Sequence, residues 1–88
     1  MINLPENKQL HFERDNKKIR LVLTNGDHEL ACRKETASKM LSFLTSANEV
    51  LFKGRLQLRK NDDDTLTVAL KGAVAGTISI AAFKKELG

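Results

Sequence analysis

The side chains best suited to bond-breaking chemistry in this sequence are two histidines and one cysteine: His11, His28 and Cys32. Catalysis by side chains needs a nucleophile and a base within hydrogen-bond reach. His28 and Cys32 fall on one predicted strand, which separates them by about 13 Å at ~3.3 Å per residue. That distance is too long for one hydrogen bond or one metal ion. We therefore predict a buried structural thiol at Cys32 and no enzyme activity.

The densest acidic cluster is the run Asn61–Asp64, "NDDD". Calcium loops space their ligands alternately, with a glycine at the sharp turn and a final glutamate. This run has none of those features. Asparagine and aspartate favour turns because their side chains bond to local backbone. The run predicts a hairpin turn, and with no glycine-rich phosphate loop in the sequence we expect neither a metal nor a cofactor.

A basic strand face is the strongest candidate for a binding site. In the stretch Leu51–Lys60, Leu56 and Leu58 point to one side of a predicted strand, and cations point to the other. Outer positions of neighbouring strands add further cations, and Lys71 is predicted opposite Lys53. Facing like charges cost stability, which a bound anion would relieve. The candidate residues for nucleic acid or another anionic partner are Lys18, Arg20, Lys53, Arg55, Gln57, Arg59 and Lys71.

The same face also fits an ordinary solvated sheet, whose lysines and arginines discourage edge-to-edge aggregation. Sheets that bind single-stranded nucleic acid usually stack bases on exposed aromatic rings. The sequence has no Trp and no Tyr, and its four Phe fall mostly at predicted core positions. Base stacking is therefore disfavoured, and only sequence-independent phosphate contacts remain as a nucleic-acid mode.

A second predicted surface is smooth and weakly polar. Small residues of the last two strands are expected to point away from the core: Thr65, Thr67, Ala69, Ala73, Ala75, Thr77 and Ser79. Such a surface lets another backbone approach closely and suits a second copy of the chain or a partner protein. A purely structural explanation is the alternative, since Thr favours exposed strands and Ala only fills space.

The elements that position these residues begin with a hairpin. Asn25-Gly26 between two strand-forming runs predicts a two-residue type I′ turn. In that register Ile19 lies opposite Cys32 on the core face, and Arg20 lies outside. With the alternating segment before it, the first half forms a meander of three strands, Leu10–Glu13, Lys18–Thr24 and His28–Arg33.

A central amphipathic helix follows. Apolar residues repeat at the i, i+3, i+4, i+7 spacing through Ala37, Met40, Leu41, Leu44 and Ala47. Three more strands are predicted at 49–60, 65–71 and within 74–80, with Leu58 opposite Leu66 and either a bulge near Gly76 or a longer loop spanning 72–76. The last residues predict a short helix capped by Ser79.

The predicted order is βββ-α-βββ-α, an α+β fold of two antiparallel meanders packed on the central helix. The pattern leaves open whether the strands form one sheet or a partly closed barrel. With 88 residues and no visible repeat or linker, the chain is expected to form one small domain, 1–88, whose polar lead-in, residues 1–8, frays or pairs loosely.

Composition narrows the class of protein. Apolar residues make up 41% and charged residues 30%, a globular balance, and the net charge of +4 favours anionic partners. One cysteine, no signal-like segment and no membrane-length apolar run predict a cytoplasmic protein without membrane contact. We expect a non-enzymatic interaction module that acts by surface contact, with a protein partner or a second copy, or alternatively a nucleic-acid-binding protein.

Overall fold

The computed structural model describes all 88 residues, which form eight strands and two helices. The elements are β1 (Ile2–Leu4), β2 (Lys8–Asp15), β3 (Lys18–Asn25), β4 (His28–Thr36), α1 (Ala37–Thr45), β5 (Val50–Leu51), β6 (Leu56–Lys60), β7 (Thr65–Leu70), β8 (Ala73–Ser79) and α2 (Ile80–Leu87).

The α+β class is confirmed, and the strands form two separate antiparallel sheets. The first sheet has the order β1-β2-β3-β4 and the second has the order β5-β6-β7-β8. Each sheet is a meander of sequential strands followed by one helix. The two halves of the chain therefore share one topology, with four strands per half where the sequence predicted three.

The two additional strands are short, which is why the sequence did not reveal them. β1 has three residues and β5 has two. The predicted single strand over 49–60 is wrong because the chain turns between β5 and β6. Phe52 has φ of 70° and Gly54 has φ of 107°, values that end a strand. Lys53 consequently lies in this loop and not on the strand face predicted for it.

The first hairpin forms, but its predicted register is wrong. Asn25 pairs with His28, so Gly26-Asp27 make the turn, and a bulge beside Leu23 then shifts the ladder by one more residue. A one-residue shift moves side chains to the opposite face. Cys32 therefore lies opposite Val22 on the outer face, where it is exposed, and the predicted buried thiol is wrong.

The second meander keeps its predicted faces although its register moves. Leu58 pairs with Val68 and not with Leu66, a shift of two residues that leaves the same side chains inside. The predicted bulge near Gly76 is confirmed as a register shift between β7 and β8. A Cβ on Gly76 would lie 2.9 Å from Leu4 Cδ2, so the glycine allows β1 to pack closely against β8.

Both helices begin at hydroxyl caps. Thr36 Oγ1 accepts from the Lys39 N–H at 3.1 Å, and Ser79 Oγ accepts from the Ala82 N–H at 3.0 Å. The predicted central helix and the Ser79 cap are thus confirmed. The helices and both sheets contribute to one core cluster of 15 residues: Leu4, Leu10, Ile19, Leu21, Leu23, Ala31, Met40, Phe43, Leu56, Leu58, Leu66, Val68, Ile78, Phe83 and Leu87.

Each half of the chain caps the helix of the other half. Arg14 on β2 and Lys60 on β6 occupy equivalent positions, since each lies opposite the second residue of the next strand. The Arg14 guanidinium donates to Leu87 O at 3.0 Å. Lys60 Nζ donates to Phe43 O at 2.8 Å and Ser46 O at 2.5 Å. A cation at a helix C-terminus opposes the negative end of the helix dipole, so these contacts stabilise the association of the halves.

Candidate anion-binding face

One face of the second sheet packs on the core and the other faces solvent. The side chains of β6 alternate between these two faces. Leu56 and Leu58 are fully buried. Because strand side chains alternate, Gln57 and Arg59 point outward about 6.6 Å apart, and Arg55 directly precedes the strand. Arg55 and Arg59 are exposed, as predicted.

The neighbouring strands add small and hydroxylated side chains to this surface. Arg59 lies opposite Thr67, which lies opposite Thr77. Lys71 follows β7, and its N–H donates to Arg55 O at 2.7 Å, so the backbones of two cationic residues are adjacent there. The predicted partner of Lys71 was Lys53; the register shift replaces it with Arg55. We call the exposed outer surface formed by Arg55, Gln57, Arg59, Lys71 and the intervening Thr67 and Thr77 the cationic face.

No cation of the cationic face is paired with a carboxylate. Arg55, Arg59 and Lys71 take part in none of the ion pairs of the structure, and neither does the adjacent loop residue Lys53. The single side-chain hydrogen bond among them joins Arg59 Nη2 to Gln57 Oε1 at 3.4 Å. The guanidinium groups of this face therefore keep nearly all of their donors for a ligand.

The outer face of the first sheet is different because Arg20 and Lys34 are paired with carboxylates. Arg20 donates to Glu13 Oε1 and to Glu29 Oε1, both at 2.8 Å. These hydrogen bonds, led by that to Glu29, raise the pKa of the Arg20 guanidinium. Lys34 Nζ lies 2.5 Å from Asp15 Oδ2, and its hydrogen bond and charge lower the pKa of the Asp15 carboxyl.

The predicted candidates are thus divided between two sheets. Lys18 and Arg20 lie on the first sheet, and the sheets do not join into the continuous cationic surface that one sheet would have given. Lys18 is exposed and has no ion-pair partner, whereas Arg20 has two. The structure brings together Arg55, Gln57, Arg59 and Lys71, with Lys53 in the loop beside them.

One cation of this region was not among the candidates predicted from the sequence. Arg33 on β4 is exposed, and its guanidinium carbon lies 5.3 Å from the ring centroid of Phe52 in the β5–β6 loop. The contact joins residues of different sheets, and no local pattern of the sequence predicts it.

The small-residue surface is only partly as predicted. The bulge turns Ala75 toward the core and places Val74 outside, where it is 71% exposed. Thr67 and Thr77 remain outward and become part of the cationic face.

The residues considered for catalysis and metal binding are separated or engaged elsewhere. His11 and Cys32 lie on the strands that flank Val22, about 10 Å apart at ~4.8 Å per strand spacing. His11 Nε2 lies 3.0 Å from Thr24 Oγ1. Asn61–Asp64 forms the predicted turn, in which Asp63 Oδ1 accepts from Thr65 Oγ1 at 2.5 Å. No group of three potential metal-ligating side chains is found.

No protein-family model, curated protein or solved structure matches this chain. Neither helix has the length and hydrophobicity that crossing a membrane requires.

Proposed function

We propose that this protein is a non-enzymatic binding module that acts by surface contact, and that the cationic face binds the phosphate backbone of nucleic acid. The observation that carries the proposal is the set of exposed cations without a carboxylate partner, arranged on one sheet face among hydroxyl groups. Arginine matches phosphate bidentately, and the Thr77 hydroxyl can donate to a phosphate oxygen, whereas the Thr67 hydroxyl is hydrogen-bonded to Asn61. The single cysteine, free and exposed, suits a reducing compartment such as the cytoplasm.

The chemistry of the face favours nucleic acid over a protein partner. Protein interfaces usually contain a well-packed apolar or aromatic centre that supplies most of the binding energy. The centre of the cationic face consists of Thr67 and Thr77. Its exposed hydrophobes are two single valines on opposite edge strands, Val50 opposite Arg59 on β5 and Val74 on β8.

Self-association through this face is also disfavoured. A twofold dimer places the same patch of both copies in contact. Arg55, Arg59 and Lys71 of one copy would then approach the equivalent cations of the other, with no carboxylate between them. We therefore propose an anionic strand as the ligand and not a second copy.

Binding by this face would be independent of sequence. Phe43 and Phe83 are buried, and Phe12 and Phe52 are packed against the core. No aromatic ring lies on the cationic face, so bases have no stacking platform there. Affinity would come from phosphate contacts alone.

The number of available cations sets the expected affinity. For single strands, log K falls with log salt concentration with a slope of about −0.7 per phosphate contact. Four contacts, from Lys53, Arg55, Arg59 and Lys71, give a slope of about −3. Affinities in the range of nonspecific binding, about 10⁻⁴ to 10⁻⁶ M, are expected at physiological salt.

Titration of labelled single-stranded DNA and RNA across a salt series tests the proposal. The double variant Arg55→Gln/Arg59→Gln should lose about 25-fold in affinity at ~0.1 M salt, since each contact contributes about fivefold there. The matched control Arg20→Gln/Lys34→Gln removes the same charge from the first sheet and should bind within about twofold of the parent.

Three outcomes would contradict the proposal. They are no binding at low salt, equal losses in both double variants, and tighter binding of poly-glutamate than of an oligonucleotide of similar charge. Light scattering across protein concentration tests the alternative of self-association, which predicts dimers in the absence of nucleic acid.

A further inference from the structure

The loop between β5 and β6 holds an aromatic ring in an unusual backbone conformation. Phe52 has φ of 70°, a region that bulky L-residues rarely adopt. Such strained positions persist only where the surrounding structure holds them, and they cluster at ligand sites. Here the ring packs against the core on one side and carries the Arg33 guanidinium on the other, 5.3 Å from its centroid.

This stacking fixes a cation of the first sheet beside the second sheet. Arg33 is exposed and takes part in no ion pair. A guanidinium held over a ring by cation–π attraction keeps N–H donors for other partners. The residues that follow Phe52 are Lys53, Gly54 and Arg55, which lead directly onto the cationic face.

We propose that Arg33, positioned by Phe52, is a phosphate-binding residue that extends the cationic face across the junction of the two sheets. This inference rests on the proposed function. A strand lying along Arg59 and Arg55 would continue past the loop and place a further phosphate at the Arg33 guanidinium. The ring acts as a positioning group, since it orders a long side chain before the ligand arrives.

The test compares Arg33→Gln with Lys34→Gln, its neighbour on β4, by titration of single-stranded DNA at several salt concentrations. Arg33→Gln should weaken binding about fivefold at ~0.1 M salt and reduce the steepness of the salt dependence by about 0.7. Lys34 is paired with Asp15, so its variant should match the parent.

The role of the ring is measured separately. Phe52→Leu keeps an apolar side chain and removes the platform, and should weaken binding by about twofold to threefold. In the double variant Arg33→Gln/Phe52→Leu the loss should equal that of Arg33→Gln alone, because the ring acts only through the arginine. Arg33→Lys keeps the charge without the planar stack and should fall between the parent and Arg33→Gln.

The outcomes separate the two proposals. If the parent protein does not bind DNA at low salt, both are overturned. If the parent binds and Arg33→Gln binds equally well with the same salt slope, only the role of Arg33 is overturned. Additive losses in the double variant would overturn the positioning role of Phe52. Circular dichroism of each variant checks that a loss of binding is not a loss of folding.

Discussion

The outer faces of the two sheets occupy equivalent places in the fold and carry opposite arrangements of charge. In the first sheet one row across the strands is Glu13, Arg20 and Lys34. The row at the equivalent position of the second sheet is Arg59, Thr67 and Thr77. The first row contains its own counter-charges, and the second contains none.

This difference shows that two sheets of the same topology can carry different arrangements of charge, and the proposed function assigns nucleic-acid binding to only one of them. Both sheets are four-stranded meanders with one buried face, and each is followed by a helix. A self-paired face has its donors occupied by carboxylates, whereas an unpaired face retains them. Function belongs to the site and not to the fold that carries it.

The largest expected effects concern the core that both halves share. Phe83 of α2 and Met40 of α1 each lie four residues after the helix cap and are fully buried. Phe83→Ala should lower the free energy of unfolding by about 3–5 kcal/mol and Met40→Ala by about 2–5 kcal/mol. Chemical denaturation should show a single transition in both variants. Two separate transitions would indicate that the halves unfold independently.

Two substitutions would make the second sheet resemble the first. Thr67→Glu/Thr77→Glu places carboxylates beside Arg59, as Glu13 lies beside Arg20. Oligonucleotide affinity should fall about 25-fold at ~0.1 M salt. The control Thr67→Gln/Thr77→Gln has the same side-chain size without charge and should lose at most about twofold. Equal losses in both would mean that shape, and not charge, governs the face.

The converse change makes the first sheet resemble the second. Glu13→Gln/Glu29→Gln removes both carboxylates that bond Arg20 and leaves a free guanidinium on an exposed face. Affinity for oligonucleotide should rise about fivefold at ~0.1 M salt, with a steeper salt dependence. The control Asp62→Asn/Asp63→Asn makes the same change of net charge in the β6–β7 turn. An equal gain in this control would show that only net charge matters.

The smallest effect is a pH dependence that belongs to the first sheet. Lys34 lowers the pKa of the Asp15 carboxyl below its ordinary value of 3.8. The pair therefore stabilises the fold above about pH 4, and this contribution is lost as pH falls through the lowered pKa. In Lys34→Met the free energy of unfolding should fall less steeply as the pH drops below about 4. An NMR titration of the Asp15 carboxyl should show its pKa move upward in the variant. An unchanged pKa would mean that Lys34 does not lower it.

The strand faces of the second half were predictable because they depend on local alternation. Leu56 and Leu58 mark the buried side wherever the exact partner lies, so Arg55 and Arg59 were correctly placed outside. The Ser79 cap is likewise a local signal. A register shift of two residues left these assignments intact.

The rest of the candidate site depends on distant parts of the chain. Whether Cys32 lies on the buried or the exposed face depends on a bulge that local residue preferences do not indicate. The stacking of Arg33 on Phe52 requires two sheets to meet. Glu13 and Glu29 reach Arg20 from two different strands, and that neutralisation becomes visible only once the register is known.

NMR mapping of a short oligonucleotide on the protein is the most direct test of whether the cationic face of the second sheet binds nucleic acid. At low salt, amide shifts should change at Gln57, Arg59, Thr67 and Thr77, and should stay constant at Arg20 and Lys34. Changes centred on Arg20 and Lys34, or no changes anywhere at low salt, would contradict the assignment of binding to the second sheet.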